Sequence, residues 1–183
     1  MATVNPFQYL EQAELIYSEQ AVNQAISAIA EQLNRDYINQ KEAPIVLCVM
    51  GGAVFFTGQL LPQLQFPLEL DYVQASRYQG EIEGKVLQWL VRPKETIKNR
   101  NIIILDDILD EGITLIAILE ECKQLGAKDI KSAVLVEKQH NFKKPVDADY
   151  VGLTVANHYV FGCGMDIYGW WRNLPAIYAL KNA

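Results

Sequence analysis

Residues Ile102 to Leu115 read IIILDDILDEGITL, and this stretch decides the fold. Its first four residues are aliphatic and predict a buried strand, because both faces are apolar and the run is too short for a helix. The run ends in Asp106 and Asp107, and a third carboxylate, Asp110, follows two residues before a glycine. The sequence therefore predicts a carboxylate-rich turn at the end of a buried strand.

A helix is predicted directly after this turn. Gly126 stands where a helix stop is expected, and one apolar stripe at helical spacing precedes it, made of Leu115, Ile116, Ile118, Leu119, Cys122 and Leu125. A turn between a buried strand and a helix N-terminus is where α/β proteins bind phosphorylated ligands, through free amides and the helix dipole. Carboxylates beside such an anion site suit the hydroxyls of a sugar, a magnesium ion or a proton.

Strands and helices alternate through the rest of the chain. Ser18 is the predicted N-cap of a long helix, and strands are predicted at 45–49, 68–74, 86–91, 132–136, 151–155 and 160–163. This alternation implies an α/β fold, a parallel twisted sheet with helices on both faces. With 183 residues, half of them hydrophobic, the chain is long enough for one well-buried domain and too short for two ordinary ones.

The composition of the chain argues against some classes of partner and indicates where the protein is found. The net charge of -6, from 22 acidic and 16 basic residues, disfavours a nucleic-acid or anionic-membrane surface. The three cysteines, Cys48, Cys122 and Cys163, are interpreted as reduced core residues. Residues 1–14 lack the basic start and apolar core of a signal peptide, and no stretch approaches transmembrane length. A cytoplasmic protein is therefore expected.

The segment from Leu105 to Thr114, LDDILDEGIT, resembles the phosphoribosyl-pyrophosphate (PRPP) binding motif of type I phosphoribosyltransferases. The resemblance extends over roughly residues 45–174 and narrows to the hypoxanthine-guanine phosphoribosyltransferases. It implies the fold of that family, with a core at about 40–165 and a small hood made by the terminal segments of a single domain, 1–183. It also implies a homodimer or homotetramer.

Other interpretations of the motif fit less well. A plain polar turn, with Asp106 or Asp110 capping the helix, needs one carboxylate rather than three. A strand that ends in two aspartates also resembles the second motif of P-loop NTPases, but the chain contains no Gly-x-x-x-x-Gly-Lys-[Ser/Thr]. An aspartyl-phosphate phosphatase would place its two aspartates at alternate positions, whereas here they are adjacent.

The resemblance implies a set of PRPP-binding residues. Asp106 and Asp107 would hold the ribose hydroxyls, and backbone amides of the following turn would bind the 5-phosphate. Met50 stands where the family often has Lys or Arg, and the family's cis peptide would fall between Met50 and Gly51. Glu111 replaces the usual Thr or Ser, so its carboxylate is expected to point away from the phosphate. The full set is Met50, Gly51, Gly52, Asp106, Asp107, Asp110, Glu111, Gly112, Ile113, Thr114 and Arg172.

The same resemblance implies a purine site and a metal. Lys138 would donate to the 6-oxo group of the purine, since lysine is a donor only and disfavours the amino group of adenine. Tyr159 would stack on the base, Val160 would offer backbone groups, and Asp166 would lie near the base. Asp110 is the expected acid/base, exchanging a proton with purine N7. Mg²⁺ would be held by Asp106, Asp107 and Asp166.

Two further expectations concern a loop and the histidines. The polar, glycine-containing segment from Arg77 to Lys85, with Arg77 and Tyr78 at its start, matches the family's lid, although a plain hairpin fits its residues equally well. His140 and His158 are expected at the surface, because no metal-ligand spacing links them.

The implied reaction is transfer of the 5-phosphoribosyl group from PRPP to N9 of hypoxanthine or guanine, giving IMP or GMP and pyrophosphate in purine salvage. A non-catalytic PRPP or nucleotide sensor on the same fold is the rival, since fold does not fix function. An orotate or uracil enzyme would need a different base pocket.

Overall fold

The structure is a computed structural model that describes residues 5–77 and 87–181. In chain order its helices and strands are α1 (Pro6–Glu11), β1 (Ala13–Tyr17), α2 (Glu19–Tyr37), β2 (Ile45–Met50), α3 (Val54–Leu60), β3 (Glu69–Arg77), β4 (Leu87–Val91), β5 (Asn101–Leu109), α4 (Ile113–Gln124), β6 (Asp129–Lys138), β7 (Tyr150–Val155), β8 (Val160–Phe161) and β9 (Ile177–Leu180).

The central sheet contains six strands in the order β4-β3-β2-β5-β6-β7. Strands β3, β2, β5, β6 and β7 pair in parallel, and β4 pairs antiparallel with β3 at one edge. The predicted α/β fold with a mostly parallel sheet is confirmed. The antiparallel edge strand is an addition, because the 86–91 run carries no signal of its direction.

Helices cover both faces of this sheet, as predicted. The side chains of β5 alternate between the faces with the period of two that a strand requires. Ile103 and Leu105 pack in one core cluster with residues of α2 and α3. Ile102 and Ile104 pack in the other cluster with residues of α4. The continuous aliphatic run of β5 is therefore needed because both of its faces are buried.

The helix ends follow the predicted signals. The Ser18 side chain accepts a hydrogen bond of 3.3 Å from the amide of Ala21 and caps α2. Gly126 follows α4 with a φ of +82°, a left-handed conformation that glycine adopts without a Cβ penalty.

Strands β5 and β6 continue past their predicted ends into the polar residues. β5 does not end at Asp106 but continues to Leu109, because Asp106, Ile108 and Leu109 stay in register with β6. β6 likewise continues to Lys138, which lies in the strand rather than after it. In both extensions the backbone groups of the polar residues remain hydrogen-bonded in the sheet, although the aliphatic run has ended.

The terminal segments form a second, three-stranded antiparallel sheet in the order β1-β9-β8. The sheet contains β1 and β9, which the sequence did not predict, together with β8, which lies within the range predicted for the core. The division into a core at about 40–165 and a small hood from the terminal segments stays a prediction. Among the described residues, no helix is long and apolar enough to cross a membrane.

Candidate active site

Two adjoining pockets lie at the carboxyl ends of the parallel strands, where α/β sheets bind ligands. The larger has a volume of about 280 Å³ and lies among the ends of β2 and β5 and the start of α4. The smaller, about 180 Å³, lies between β5, β6 and the segment that contains β8. Both are lined by Asp107, Ile108 and Asp110, so a ligand that spans the two pockets would pass these residues.

The larger pocket contains most of the predicted PRPP-binding residues. Its lining does not include Glu111 or Ile113, the two residues at which the motif departs from the usual family pattern. It does include Met50, Gly51, Gly52, Asp106, Asp107, Asp110, Gly112, Thr114 and Arg172. The peptide bond between Met50 and Gly51 is cis, as the resemblance implied.

The N-terminus of α4 opens into this pocket. Its N-cap is Gly112, with a φ of +83°, and no side chain caps the helix. The alternative in which Asp106 or Asp110 caps the helix is therefore wrong. Gly112 and Thr114 line the pocket, so the first turn of α4 presents its positive end there. This geometry suits an anion such as a phosphate.

Asp106 and Asp107 form a buried carboxylate pair at the base of the pocket, with 8% and 9% of their surface exposed. The amide of Asp107 donates to Asp106 Oδ1 at 2.9 Å, and the amide of Ile108 donates to Asp107 Oδ1 at 3.0 Å. Burial raises the pKa of Asp106 well above its ordinary value, and the charge of Asp107 raises it further. Burial also raises the pKa of Asp107, although Asp106 and Arg172 oppose this. The two carboxyl groups can therefore bind a cation or accept hydrogen bonds from hydroxyl groups.

Replacing Asp106 by Asn is expected to stabilise the ligand-free fold at neutral pH while impairing activity. A carboxyl whose pKa is raised on folding makes the folded state less stable as pH rises from its unfolded pKa, about 4, through its folded pKa. The neutral amide avoids this loss. Thermal melting without Mg²⁺ or PRPP should give a higher Tm for D106N than for the parent at about pH 7.5, and no difference at about pH 3.

The exposed carboxylate of Asp147 offers a control for that experiment. D147N should melt like the parent at both pH values. A lower Tm for D106N at about pH 7.5 would mean that the ionised carboxylate of Asp106 stabilises the fold, contrary to its burial beside a second carboxylate.

Gly52 is required because the side chain of Asp107 packs directly against its backbone. A Cβ at position 52 would lie 2.0 Å from Asp107 Oδ2, and a Cβ at Gly164 would lie 1.9 Å from the carbonyl oxygen of Gly52. Gly164 also has a φ of +102°, which favours glycine. Gly52 therefore allows the carboxylate of Asp107 to pack against the loop after β2, a role beyond the predicted backbone cradle.

The smaller pocket contains the predicted base-binding residues. Lys138 enters it from β6, and Tyr159, Val160 and Asp166 enter from the opposite segment. Tyr159 is 46% exposed, so part of its side chain is open for contact. Burial raises the pKa of the Tyr159 hydroxyl, and the charge of Asp166 adds to this. The smaller pocket thus combines the ammonium of Lys138, which can only donate hydrogen bonds, with the aromatic ring of Tyr159. This combination suits a flat heterocycle that carries a carbonyl oxygen.

Asp110 lies where the two pockets meet and contacts a lysine and a histidine. Lys138 Nζ donates to Asp110 Oδ2 at 2.9 Å, and His140 Nε2 lies 2.7 Å from Asp110 Oδ1. Burial would raise the pKa of Asp110, but the hydrogen bonds of Lys138 and His140 outweigh it and lower the pKa. These contacts therefore favour the ionised form of Asp110, which is the form that can accept a proton.

The surface placement predicted for His140 is wrong. Its side chain is only 8% exposed and stacks on Phe142, with ring centroids 4.6 Å apart. His140 and Asp110 are 30 residues apart, and only the alignment of β5 with β6 brings them together. In the sequence, the sole sign of this contact was that His140 is a polar residue two positions after Lys138. The prediction for His158 is confirmed, since it is exposed.

Arg172 and Asp166 form an ion pair on the far side of the site. Arg172 Nη2 lies 2.5 Å from Asp166 Oδ1, and Arg172 Nη1 donates to the carbonyl oxygen of Gly164 at 2.6 Å. The other oxygen of Asp166 accepts from the amide of Gly169 at 2.7 Å. Asp166 is therefore placed to orient Arg172, which lines the larger pocket.

Of the predicted lid, Arg77 to Lys85, the structure describes only the backbone of the first residue. The backbone of Arg77 ends β3, and Tyr78 and the rest of the loop lie beyond the described residues. The lid assignment stays a prediction.

The predicted metal ligands fit Mg²⁺ in part. Within residues 5–77 and 87–181, no group of three or more His, Cys, Asp or Glu side chains could hold a metal ion. Asp166 is therefore not grouped with the pair Asp106 and Asp107. Mg²⁺ prefers oxygen ligands and is usually bound by one or two carboxylates together with substrate phosphates and water. The buried pair and its pocket suit a cation that arrives with a phosphorylated ligand.

Comparison with known proteins identifies the class that this fold and site define. The family model of the phosphoribosyl transferase domain matches residues 12–168. The chain therefore belongs to the phosphoribosyltransferase family.

Relatives that match nearly the whole chain narrow the family to its hypoxanthine-guanine branch. The hypoxanthine-guanine-xanthine phosphoribosyltransferase of Tritrichomonas foetus is 32% identical over 170 residues, which cover 92% of each chain. The hypoxanthine-guanine phosphoribosyltransferase of Bacillus subtilis is 30% identical over 93% of this chain and 94% of its own. A solved hypoxanthine phosphoribosyltransferase from Staphylococcus aureus has a TM-score of 0.86, with 26% identity over 98% of this chain and 97% of its own.

Proposed function

We propose that the protein transfers the 5-phosphoribosyl group of PRPP to N9 of hypoxanthine or guanine, forming IMP or GMP and pyrophosphate in purine salvage. The observation that carries this proposal is the pair of joined pockets with Asp110 between them. One pocket offers a helix N-terminus and buried carboxylates, and the other offers a lysine and an aromatic ring. A phosphorylated sugar and a 6-oxopurine fit these two environments.

The larger pocket would bind PRPP. The 5-phosphate would lie at the N-terminus of α4, held by backbone amides and the hydroxyl of Thr114. Asp106 and Asp107 would accept hydrogen bonds from the ribose hydroxyls, and their charge would favour the positive ribosyl centre of the transition state. The pyrophosphate would contact Gly51 and Gly52 and the guanidinium of Arg172, whose planar fork suits phosphate oxygens.

The smaller pocket would bind the purine. Lys138 would donate to the 6-oxo group, Tyr159 would stack on the ring, and Val160 would contact the base edge through its backbone. During transfer N9 would form a bond to the anomeric carbon of the ribose as the bond from that carbon to pyrophosphate breaks. The electron pair of the broken bond would leave with pyrophosphate. The N7 proton would pass to the carboxylate of Asp110.

Mg²⁺ is the proposed cofactor, held by Asp106 and Asp107 together with PRPP oxygens, with Asp166 nearby. When bound, it would neutralise charge on the leaving diphosphate and orient PRPP. The separation of Asp166 from the aspartate pair and its ion pair with Arg172 support a role for Asp166 in orienting that arginine.

We also propose that the protein is a homodimer or homotetramer in the cytoplasm. An apolar groove between α3 and β3 supports assembly, because Val54, Leu70 and Tyr72 line it and are 49%, 56% and 47% exposed. The three cysteines, all free and buried, support a reducing compartment.

A panel of bases tests the proposed function. The protein, PRPP and Mg²⁺ are incubated with hypoxanthine, guanine, xanthine, adenine or orotate, and nucleotide and pyrophosphate are both measured. Hypoxanthine or guanine should give nucleotide with an equal amount of pyrophosphate, and adenine and orotate should give little. Product with orotate alone would contradict the assignment of the smaller pocket to a 6-oxopurine.

A further inference from the structure

We propose that His140 is a positioning residue that holds Asp110 by one carboxylate oxygen, so that the other oxygen faces N7 of the purine. This inference rests on the proposed function and assigns a role to a residue outside both pockets. His140 touches neither base nor PRPP in this arrangement and acts through Asp110.

The geometry places His140 behind Asp110. Its ring does not line the smaller pocket, whereas Asp110 and Lys138 both do. His140 Nε2 lies 2.7 Å from Asp110 Oδ1, and the ring is buried and stacked on Phe142 with an interplanar angle of 23°. An ionised carboxylate only accepts hydrogen bonds, so Nε2 carries the proton and donates it to Oδ1.

Lys138 cannot serve as the permanent partner of Asp110. Its ammonium lies 2.9 Å from Asp110 Oδ2, and Lys138 also lines the smaller pocket and is the group proposed to contact the 6-oxo oxygen. When Lys138 turns to that oxygen, Oδ2 becomes available to N7. His140 then remains as the donor that fixes the carboxylate and keeps it ionised until it accepts the proton.

Among the titratable residues near Asp110, none other than Lys138 and His140 is shown to hold its carboxylate within the described residues. Asp107 and Asp166 line the same pocket, and as acidic side chains they supply no cation to Asp110. Lys144 lies on the other side but donates to the carbonyl oxygen of Leu109 at 3.2 Å and to Glu137 at 3.0 Å. Its charge is thus engaged by Glu137. Once Lys138 binds the purine, His140 is the donor to Asp110 that the structure provides within the described residues.

Two substitutions separate the hydrogen bond from the packing. His140→Phe keeps a ring against Phe142 and removes the donor. His140→Gln keeps a donor near the position of Nε2 and removes the ring. Loss of a hydrogen bond to a charged group predicts that H140F lowers kcat by about 10-fold or more, with the KM for PRPP unchanged. H140Q should keep most of the parent's kcat.

The pH dependence of kcat provides a second test, because a loss of packing alone would not shift it. Without the donor, the pKa of Asp110 in the complex should rise, so the acidic limb of kcat should shift to higher pH in H140F and much less in H140Q. The exposed residue His158 offers a matched control, and H158Q should behave like the parent. Melting temperatures show whether each variant is folded at the assay temperature.

Equal losses of kcat in H140F and H140Q, or a parental kcat and pH profile in H140F, would overturn this role for His140. Should H140F fail to fold, a parental kcat and pH profile in H140Q support the role, and a strong loss in H140Q overturns it. A parent protein that forms no nucleotide with any base would instead refute the proposed function.

Discussion

Asp110→Asn is expected to lower the turnover number for nucleotide formation by about 10²-fold or more, with PRPP affinity largely kept. The amide preserves the shape of the side chain and cannot take up the N7 proton. Steady-state kinetics with saturating PRPP and guanine would give the turnover number, and calorimetry would give the PRPP affinity. The exposed Asp147 provides a matched control, since D147N removes the same charge away from the site. Near-parental turnover in D110N would remove Asp110 from its acid/base role.

D110N should also differ from D106N in its effect on stability. The pKa of Asp110 is lowered in the fold, so its ionised form contributes stability that is present above the unfolded pKa and is lost as pH falls through the folded pKa. D110N should therefore melt slightly below the parent at neutral pH, whereas D106N should melt above it. Asp106 lies in β5 and Asp110 directly follows that strand, yet their different environments give opposite effects on stability.

Lys138→Ala is expected to weaken purine binding by about 10-fold or more, the loss typical of a hydrogen bond to a charged group, and to change PRPP binding much less. Lysine offers only donors, so its removal leaves the 6-oxo oxygen of guanine without a partner and reduces discrimination against adenine. Inhibition constants for unreactive guanine and adenine analogues would measure both effects.

The exposed Lys143 provides the control for this prediction, and K143A should bind both analogues as the parent does. Lys138 also binds Asp110, so K138A should lower turnover as well. The comparison of analogue affinities isolates the contribution to base binding. If K138A binds both analogues as the parent does, Lys138 is not the residue that selects a 6-oxopurine.

The sequence predicted the parts of the site that are contiguous in the chain. The strand β5, the turn at Asp110 and the helix α4 follow from an aliphatic run, a cluster of carboxylates and a stripe that ends at Gly126. Local rules sufficed there because strand burial and helix ends depend on neighbouring residues. The family resemblance added Lys138, Tyr159 and Arg172, and the structure places all three beside the same two pockets.

Local sequence rules could not predict the contacts between segments that are distant in the chain. The partnership of His140 with Asp110 depends on the register of β5 and β6, and the need for Gly52 depends on how closely Asp107 and Gly164 approach it. β1 and β9 are short and pair only within the three-stranded sheet, so tertiary contacts define them more than their own residues do.

Counting turnovers tests the central claim, that this site is catalytic, most directly. The protein is mixed with a large excess of PRPP, Mg²⁺ and hypoxanthine or guanine, and nucleotide and pyrophosphate are counted per protein molecule over time. The account predicts many nucleotides per protein molecule, with one pyrophosphate released for each. Binding of PRPP by calorimetry together with no more than about one nucleotide per protein molecule would contradict it, because a sensor binds its ligand without turning it over.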